Sequence, residues 1–153
     1  MPGSAPAPGK RVVESGDLEG LVEATFNRDV LAYLAQHRPS CHSDTGSALI
    51  EAAEKCGDWI AFSPSFAQCR YVALVTRRRV FALGRGQRSA CFRLPGALGR
   101  AALATGAVPA PEIGSDWVSF ALFEADRPAP DLPFWTLRAY AAARKPDAGL
   151  PLA

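Results

Sequence analysis

The sequence contains little lysine, one methionine, two histidines and no long apolar run. No apolar stretch approaches the roughly 20 residues that a membrane-spanning helix needs. The opening "MPGSAPAPGKRVVESGD" also lacks the apolar centre of a signal peptide. Three lysines stand against 14 arginines, and alanine, glycine and proline are abundant, a bias that GC-rich coding alone can produce. Because the sequence shows neither a membrane-spanning run nor a signal peptide, we expect a cytoplasmic protein without a membrane partner.

The cysteines and histidines do not form a familiar metal or disulfide pattern. The four cysteines are separated by 14, 12 and 21 residues, without a Cys-x-x-Cys pair, so reduced thiols are expected. The segment "CHSDTG" (41–46) is interpreted as a capping segment before a helix. A Cys–His nucleophile there, or a metal site of Cys41, His37 and His42, is an alternative. Motifs of phosphate-binding loops, dinucleotide-binding folds, serine hydrolases and metalloproteases do not occur in the sequence. We expect no cofactor and no metal, and nominate no catalytic residue.

One stretch of the chain is free of acidic residues. Between Trp59 and Pro111 the sequence has eight arginines and no Asp or Glu. The rest of the chain holds the other nine basic residues and all 15 acidic ones. The net charge of +2 therefore hides a separation of charge, which is an argument about partners rather than about fold.

Hydrophobic periodicity indicates helices at both ends of the chain and strands between them. Residues 17–38 predict a helix capped by Asp17 with a break near Asn27, and residues 43–57 predict a second helix capped by Ser43 or Asp44. Four β-rich runs follow: "WIAF", "RYVALVT", "RVFALG" and "SACFRL". A small helix ("PGALGRAALATGA"), a fifth strand ("DWVSFALFEA") and a last helix capped by Asp131 complete the order.

This order of elements predicts the fold class. Grouped strands with helices before and after them indicate an α+β domain. We expect an antiparallel meander sheet of about five strands with N-terminal helices, one inserted helix and a C-terminal helix, the helices covering one face. Residues 17–145 are predicted to form a single domain. Residues 1–15 and 146–153 are predicted to be disordered tails, because they are rich in Pro, Gly and Ala and lack periodicity.

Three segments resemble a group of small bacterial domains. "RVFALGRGQRSACFRLP" is similar to the strand pair, "DWVSFAL" to the late strand and "FWTLRAYAAAR" to the closing helix of YjbR/MmcQ-like domains and of the related TfoX N-terminal domain. A small domain named after luciferase shares a similar Trp-Val-Ser-Phe strand and is a second candidate. The resemblance covers roughly residues 59–144. It implies a bacterial α+β module, for which DNA-linked or regulatory roles are proposed, and it transfers no catalytic residue. The long helical lead-in and the proline-rich tails depart from that pattern.

The arginines of "VTRRRVFALGRGQRSACFR" form the candidate site, because planar guanidinium groups match phosphate and carboxylate. The candidate anion-binding residues are Arg77, Arg78, Arg79, Arg85, Arg88 and Arg93. Strand alternation places Arg79 on the face of Phe81 and Leu83, and Arg93 on the outer face of the sheet. Successive hairpin turns lie at opposite ends of a meander, so these residues need not form one patch. Three interpretations stay open: solvated arginines on a sheet face, a nucleic-acid surface, and a site for a small anionic ligand or an acidic protein.

Two functions follow as hypotheses. The first is a non-enzymatic interaction or regulatory module whose arginine-rich sheet surface contacts an anionic partner, either nucleic acid or an acidic protein. The second is a small-molecule-binding domain or an enzyme with an aromatic pocket between the last strand and the last helix, since all three tryptophans fall on apolar patterns. An exposed sheet edge would also allow two copies to pair as a homodimer.

Overall fold

A computed structural model describes residues 9–146 of the chain. This part contains four α-helices and seven strands. The helices are α1 (Arg28–His37), α2 (Ser43–Ala52), α3 (Ala97–Ala104) and α4 (Leu132–Ala143), and a 3₁₀ turn spans Leu18–Gly20. The strands are β1 (Lys10–Val13), β2 (Trp59–Phe62), β3 (Val72–Thr76), β4 (Arg79–Arg85), β5 (Ser89–Arg93), β6 (Val108–Pro109) and β7 (Trp117–Ala121). Within this range, no helix has the length and apolar character needed to span a membrane.

All seven strands belong to one sheet, in the order β1-β2-β3-β4-β5-β7-β6. Strands β2 to β5 are consecutive antiparallel neighbours. Strand β7 is inserted between β5 and β6, and β1 runs parallel to β2. The α+β fold class is confirmed. The prediction of a meander of about five strands is wrong in two respects. The sheet has seven strands, and neither edge follows a meander, because β1 is parallel to β2 and β7 lies between β5 and β6.

The two strands that the sequence does not predict are the edge strands. Strand β6 has two residues, and Pro109 is tolerated there because an edge position needs no N–H donor. The prediction that residues 1–15 form a disordered tail is wrong for Lys10–Val13, because these residues form β1 and pair with β2. The β1 sequence "KRVV" has no period-2 signal, so pairing with a distant strand decides its conformation. Residues 1–8 and 147–153 of the predicted tails lie outside the described residues.

Helices cover both faces of the sheet. On one face α2, α3 and α4 pack over strand residues that include Leu74 and Phe92. On the other face α1 and the 3₁₀ turn pack over Val75 and Cys91. The expectation that helices cover only one face is therefore wrong. The nearly continuous apolar runs of β3 and β4 are explained by this double coverage, since strands buried on both sides need no polar alternation.

A β-bulge shifts the alternation of side chains in β4. The pairing of β3 with β4 slips between Leu74 and Val75, so β4 accommodates an extra residue there. Leu83 consequently packs on the α1 side, whereas Phe81 packs on the side of α2 and α4. The prediction that Phe81 and Leu83 share a face is wrong, because simple alternation holds only where the register is unbroken.

The predicted helix over residues 17–38 is interrupted before α1. Asp17 precedes the 3₁₀ turn but makes no side-chain cap bond, and regular helix begins only at Arg28. The break falls at Asn27, as expected, because its buried amide is hydrogen bonded to the β3–β4 turn. This contact ties the segment before α1 to the sheet end where several of the candidate arginines lie.

Candidate functional site: two groups of arginines and an aromatic cleft

The six candidate arginines lie at two opposite ends of the sheet. Arg77, Arg78, Arg79 and Arg93 lie at the end that carries the β3–β4 turn, and Arg85 and Arg88 lie at the end that carries the β4–β5 turn. Since both faces of the sheet are covered, none of them stands on an open sheet surface. The predicted position of Arg93 on an outer face is corrected, because the face that it shares with Cys91 packs under the α1 side.

Two of these arginines cap the C-terminus of α4. The Arg79 guanidinium donates to the carbonyl oxygens of Ala143 at 2.9 Å and Lys145 at 2.7 Å, and Arg77 donates to Arg144 O at 3.0 Å. The last carbonyls of a helix have no partner within the helix and carry a partial negative charge. These arginines therefore have an intramolecular role that needs no bound anion.

The β3–β4 turn itself consists of Arg77 and Arg78. Both residues have positive φ, 49° and 62°, as a two-residue hairpin of type I′ requires. The Arg78 side chain donates to Val22 O at 3.2 Å. Both arginines are nevertheless exposed residues at the tip of the turn.

At the other end of the sheet, Arg85 forms a shielded ion pair. Its guanidinium lies 2.7 Å from Glu112 Oε2 and donates to the Tyr33 hydroxyl at 2.8 Å. Only 16% of the Arg85 side chain is exposed. Arg88, in contrast, is exposed and has no side-chain ion pair with any residue from 9 to 146. The two arginines of this end therefore have different surroundings.

Arg93 lies in the wall of a cleft of about 650 Å³ between the start of α1, the end of β5 and the start of β7. Its guanidinium lies 3.2 Å from Asp116 Oδ2 and 4.4 Å from the ring centroid of Phe26. Burial lowers the pKa of Arg93, and the nearby Asp116 carboxylate opposes that effect. An anionic ligand in this cleft has to compete with Asp116 for the guanidinium.

Phe26 is the aromatic residue that contacts the arginines at the β3–β4 end of the sheet. It contacts Arg79 as well as Arg93, with the Arg79 guanidinium 4.9 Å from the ring centroid. Tyr71 and Phe81, the aromatics that lie beside arginines in the sequence, are buried in the core. The sequence does not predict Phe26 as part of this site, because it lies some 50 residues before the arginines and outside any regular element.

The "CHSDTG" segment is a helix cap, as interpreted from the sequence. The His42 ring accepts a hydrogen bond from Asp44 N–H at 3.0 Å, so His42 rather than Ser43 or Asp44 caps α2. Cys41 is buried, and burial raises the pKa of its thiol to about 11, which disfavours the thiolate that a nucleophile needs. Among the described residues, no group of three or more His, Cys, Asp or Glu side chains is arranged to hold a metal ion.

A second cleft lies between β7 and the start of α4. It encloses about 410 Å³, and we call it the aromatic cleft because Phe120, Phe134 and Trp135 line it. Phe120 and Trp135 are buried, whereas 39% of Phe134 is exposed. The ring centroids of Phe134 and Trp135 are 4.8 Å apart in a T-shaped arrangement, and those of Phe120 and Trp135 are 5.7 Å apart. Contacts between the rings thus favour this arrangement of the aromatic wall.

Thr105 and Gly106, at the end of α3, and the loop that leads into α4 form most of the rest of the cleft wall. This loop supplies Arg127, the sequence Pro128–Pro130 and Asp131. Asp131 caps α4, as predicted, and its Oδ1 accepts from Phe134 N–H at 3.2 Å. Sequence periodicity places Phe134 and Trp135 on the last helix but does not identify Arg127, because a proline-rich loop has no period from which its side-chain directions follow.

The chain matches no family model, no curated protein and no solved structure. The resemblance to YjbR/MmcQ-like and TfoX N-terminal domains therefore stays a prediction.

Proposed function

We propose that this chain is a small-molecule-binding domain whose ligand occupies the aromatic cleft. The observation that carries the proposal is the cleft itself: a space of about 410 Å³ bounded by Phe120, Phe134 and Trp135. Binding sites for small organic ligands are mostly apolar and have volumes of roughly 300–1,000 Å³. The cleft falls within that range.

The chemistry of the wall favours a ligand with a flat, apolar body. Phe134 leaves part of its ring open to solvent, and a planar ligand that covers this ring removes apolar surface from water. The Arg138 guanidinium lies 3.4 Å from the Phe134 ring centroid. Contacts with Arg138 and Trp135 restrict the Phe134 ring before a ligand arrives, so little side-chain entropy is lost on binding.

We propose binding rather than catalysis because Asp131 already has a structural role as the cap of α4. It is the carboxylate in the cleft wall, and it already accepts a hydrogen bond from the first turn of α4. A general acid or base must be free to exchange a proton with a substrate. Removing Asp131 from its capping role would cost helix stability, typically about 1 kcal/mol.

The proposal is tested with 2-naphthamide, a neutral planar probe, by isothermal titration calorimetry on the full chain. We expect Phe134→Ala to weaken binding about ten-fold, because the exposed ring supplies stacking and apolar contact. Leu137→Ala is the matched control, since Leu137 lies on the same helix with similar exposure (41%) and does not line the cleft. Equal effects of the two variants, or no binding by the wild type, would contradict the proposal.

A second candidate function is supported by the charge at the β3–β4 turn. Arg77 and Arg78 are exposed there, and contacts of Arg77 and Arg79 with the end of α4 bring Lys145 to the same region. We propose that an anionic partner, nucleic acid or an acidic protein, binds at this turn. Arg79, Arg85 and Arg93 are less suited to it, because these residues are only partly exposed and their guanidinium groups pack against carbonyls or carboxylates of the chain, whereas the two turn residues are exposed.

The second candidate is tested by binding to duplex DNA over a range of salt concentrations. The log–log slope is expected to be about −0.9 per phosphate contact. Arg77→Ala combined with Arg78→Ala should weaken binding and make this slope shallower. Arg100→Ala is the control, because it removes an exposed arginine from α3. Poly-glutamate in place of DNA separates an acidic protein partner from nucleic acid, and equal losses in the double variant and the control would exclude the turn as the site.

A further inference from the structure

Arg127 is the charged group of the aromatic cleft whose hydrogen-bonding capacity is unused. The cleft wall contains two ionisable side chains, Arg127 and Asp131. Asp131 accepts from Phe134 N–H through its side chain and from Trp135 N–H at 3.2 Å through its carbonyl. The exposed Arg127 side chain, in contrast, forms no ion pair or hydrogen bond with any residue in the described range 9–146.

The neighbouring polar groups do not neutralise Arg127. Glu124 and Asp126 belong to the same loop, but neither forms an ion pair with it inside the described part of the chain. Thr105, which also lines the cleft, donates its hydroxyl hydrogen to Ala102 O at 2.8 Å. The N-terminus of α4, which carries partial positive charge, also faces this region and offsets part of the charge of Asp131. Among residues 9–146, a ligand in the cleft therefore meets an apolar wall with the unpaired guanidinium of Arg127 at its rim, while the Arg138 guanidinium lies over the Phe134 ring and does not line the cleft.

We infer that the ligand of the aromatic cleft is an aromatic carboxylic acid. Its ring system covers Phe134 and Trp135, and its carboxylate pairs with Arg127. The planar guanidinium offers two parallel N–H donors that match the two oxygens of a carboxylate, a pairing stronger than a neutral hydrogen bond. This inference rests on the proposed function and adds the chemical class of the ligand.

The position of Arg127 beside an apolar wall strengthens such a pair. Charges at the edge of a low-dielectric surface interact more strongly than two charges in bulk water. The loop that carries Arg127 contains Pro128 and Pro130, and proline restricts the backbone that positions the arginine. Less conformational freedom is therefore lost when the ligand binds.

The inference is tested by comparing 2-naphthoate with 2-naphthamide, which have the same ring system and differ in charge. For the wild-type chain at pH 7 and low salt, we expect the acid to bind about ten-fold more tightly than the amide. Arg127→Gln should abolish this preference and leave the affinity for the amide within two-fold. Arg127→Lys should keep only part of the preference, since an ammonium group has the charge without the planar fork.

Arg28→Gln is the matched control for the change in net charge. Arg28 is exposed at the start of α1, on the opposite side of the sheet, so its loss should leave the preference for the acid intact. Equal thermal midpoints of the Arg127 variants and the wild type would show that folding is unaffected.

The outcomes separate this inference from the function on which it rests. If Arg127→Gln still prefers the acid, Arg127 is not the group that recognises the carboxylate. If the wild type binds both probes equally, the assignment of an acidic ligand is wrong. In either case the binding function stands. If Phe134→Ala weakens neither probe, the aromatic cleft is not the site and both proposals fall. Added salt should reduce the preference for the acid without changing the affinity for the amide.

Discussion

The side-chain oxygen of Asn27 accepts a hydrogen bond from the main-chain N–H of Val80 at 2.8 Å, in the buried core beneath the β3–β4 turn. The amide nitrogen of Asn27 donates to Arg78 O at 3.0 Å and also to Glu23 O. One side chain thus links the segment before α1 to the first residues of β4. The exposed arginines of the turn are held in place from beneath by a buried amide.

Replacing Asn27 should destabilise the protein strongly. Asn27→Ala leaves the buried Val80 N–H unpaired, which costs about 1–3 kcal/mol, and it removes one of the two hydrogen bonds that Arg78 O and Glu23 O each accept. We expect a loss of about 3 kcal/mol in the free energy of unfolding, measured by urea denaturation. Asn27→Asp keeps the acceptor and loses both donors, so it should be destabilised as well. A loss below about 1 kcal/mol for the alanine variant would contradict the structural role given to Asn27.

Replacing Thr136 should stabilise the protein. Its buried hydroxyl is the one buried side-chain polar atom in residues 9–146 that has no hydrogen-bond partner. Valine has nearly the same shape and removes this unpaired group, so Thr136→Val is expected to raise the free energy of unfolding by about 1 kcal/mol. Thr45→Val is the control: Thr45 is equally buried, but its hydroxyl donates to Gln87 O at 2.6 Å, so its loss should destabilise. Destabilisation by both variants would mean that the Thr136 hydroxyl has a partner in solution.

Stability should depend on pH through Glu112. Burial by itself raises the pKa of Glu112, but hydrogen bonds from its own N–H and from Arg85 outweigh this and lower the pKa below 4.5. A carboxyl whose pKa is lowered on folding stabilises the protein above its unfolded pKa and loses that contribution as the pH falls through the folded value. Glu112→Gln should therefore have a lower urea midpoint than the wild type at pH 7. The difference should shrink below about pH 4.5, and a constant difference from pH 3 to 7 would rule out this ion pair as its source.

Only one of the four cysteines should react quickly with a thiol reagent in the native protein. Cys69 is exposed, whereas Cys41, Cys56 and Cys91 are buried. Burial raises the pKa of Cys41 and of Cys56 to about 11, which further disfavours their thiolates. A disulfide-exchange assay at pH 8 should show one fast thiol, and three more after denaturation. Cys69→Ser should remove the fast phase; a fast phase that persists in this variant would place a second thiol at the surface.

Local signals in the sequence predicted a large part of the fold. The runs that form β2 to β5 and β7 were identified by their apolar and β-branched residues, and α2, α3 and α4 by helical periodicity. The capping role of Asp131 was predicted correctly, because a cap depends on residues within one turn of the helix. The break at Asn27 was also anticipated, but its cause, a contact with a residue 53 positions later, was not.

The candidate site was only partly predictable, because the partners of its arginines lie far away in the sequence. The sequence identified six arginines, but not which of them have partners inside the chain. Arg79 finds its carbonyl acceptor 64 positions later and Arg85 finds Glu112 27 positions later. The alternative location for a site, between the last strand and the last helix, follows from the aromatic pattern of two predicted elements, and a cleft lies there. Arg127 is missing from the prediction because it lies on a loop.

By itself, the sequence determined the α+β class, the order of the central strands and the concentration of positive charge between residues 60 and 110. These properties depend on composition and on neighbours within a few positions. Only the tertiary structure decided that both faces of the sheet are covered, that a bulge separates Phe81 from Leu83, and that β1 joins the edge. It also decided which guanidinium groups are free. Each of these outcomes depends on contacts between residues far apart in the chain, and local periodicity contains no information about them.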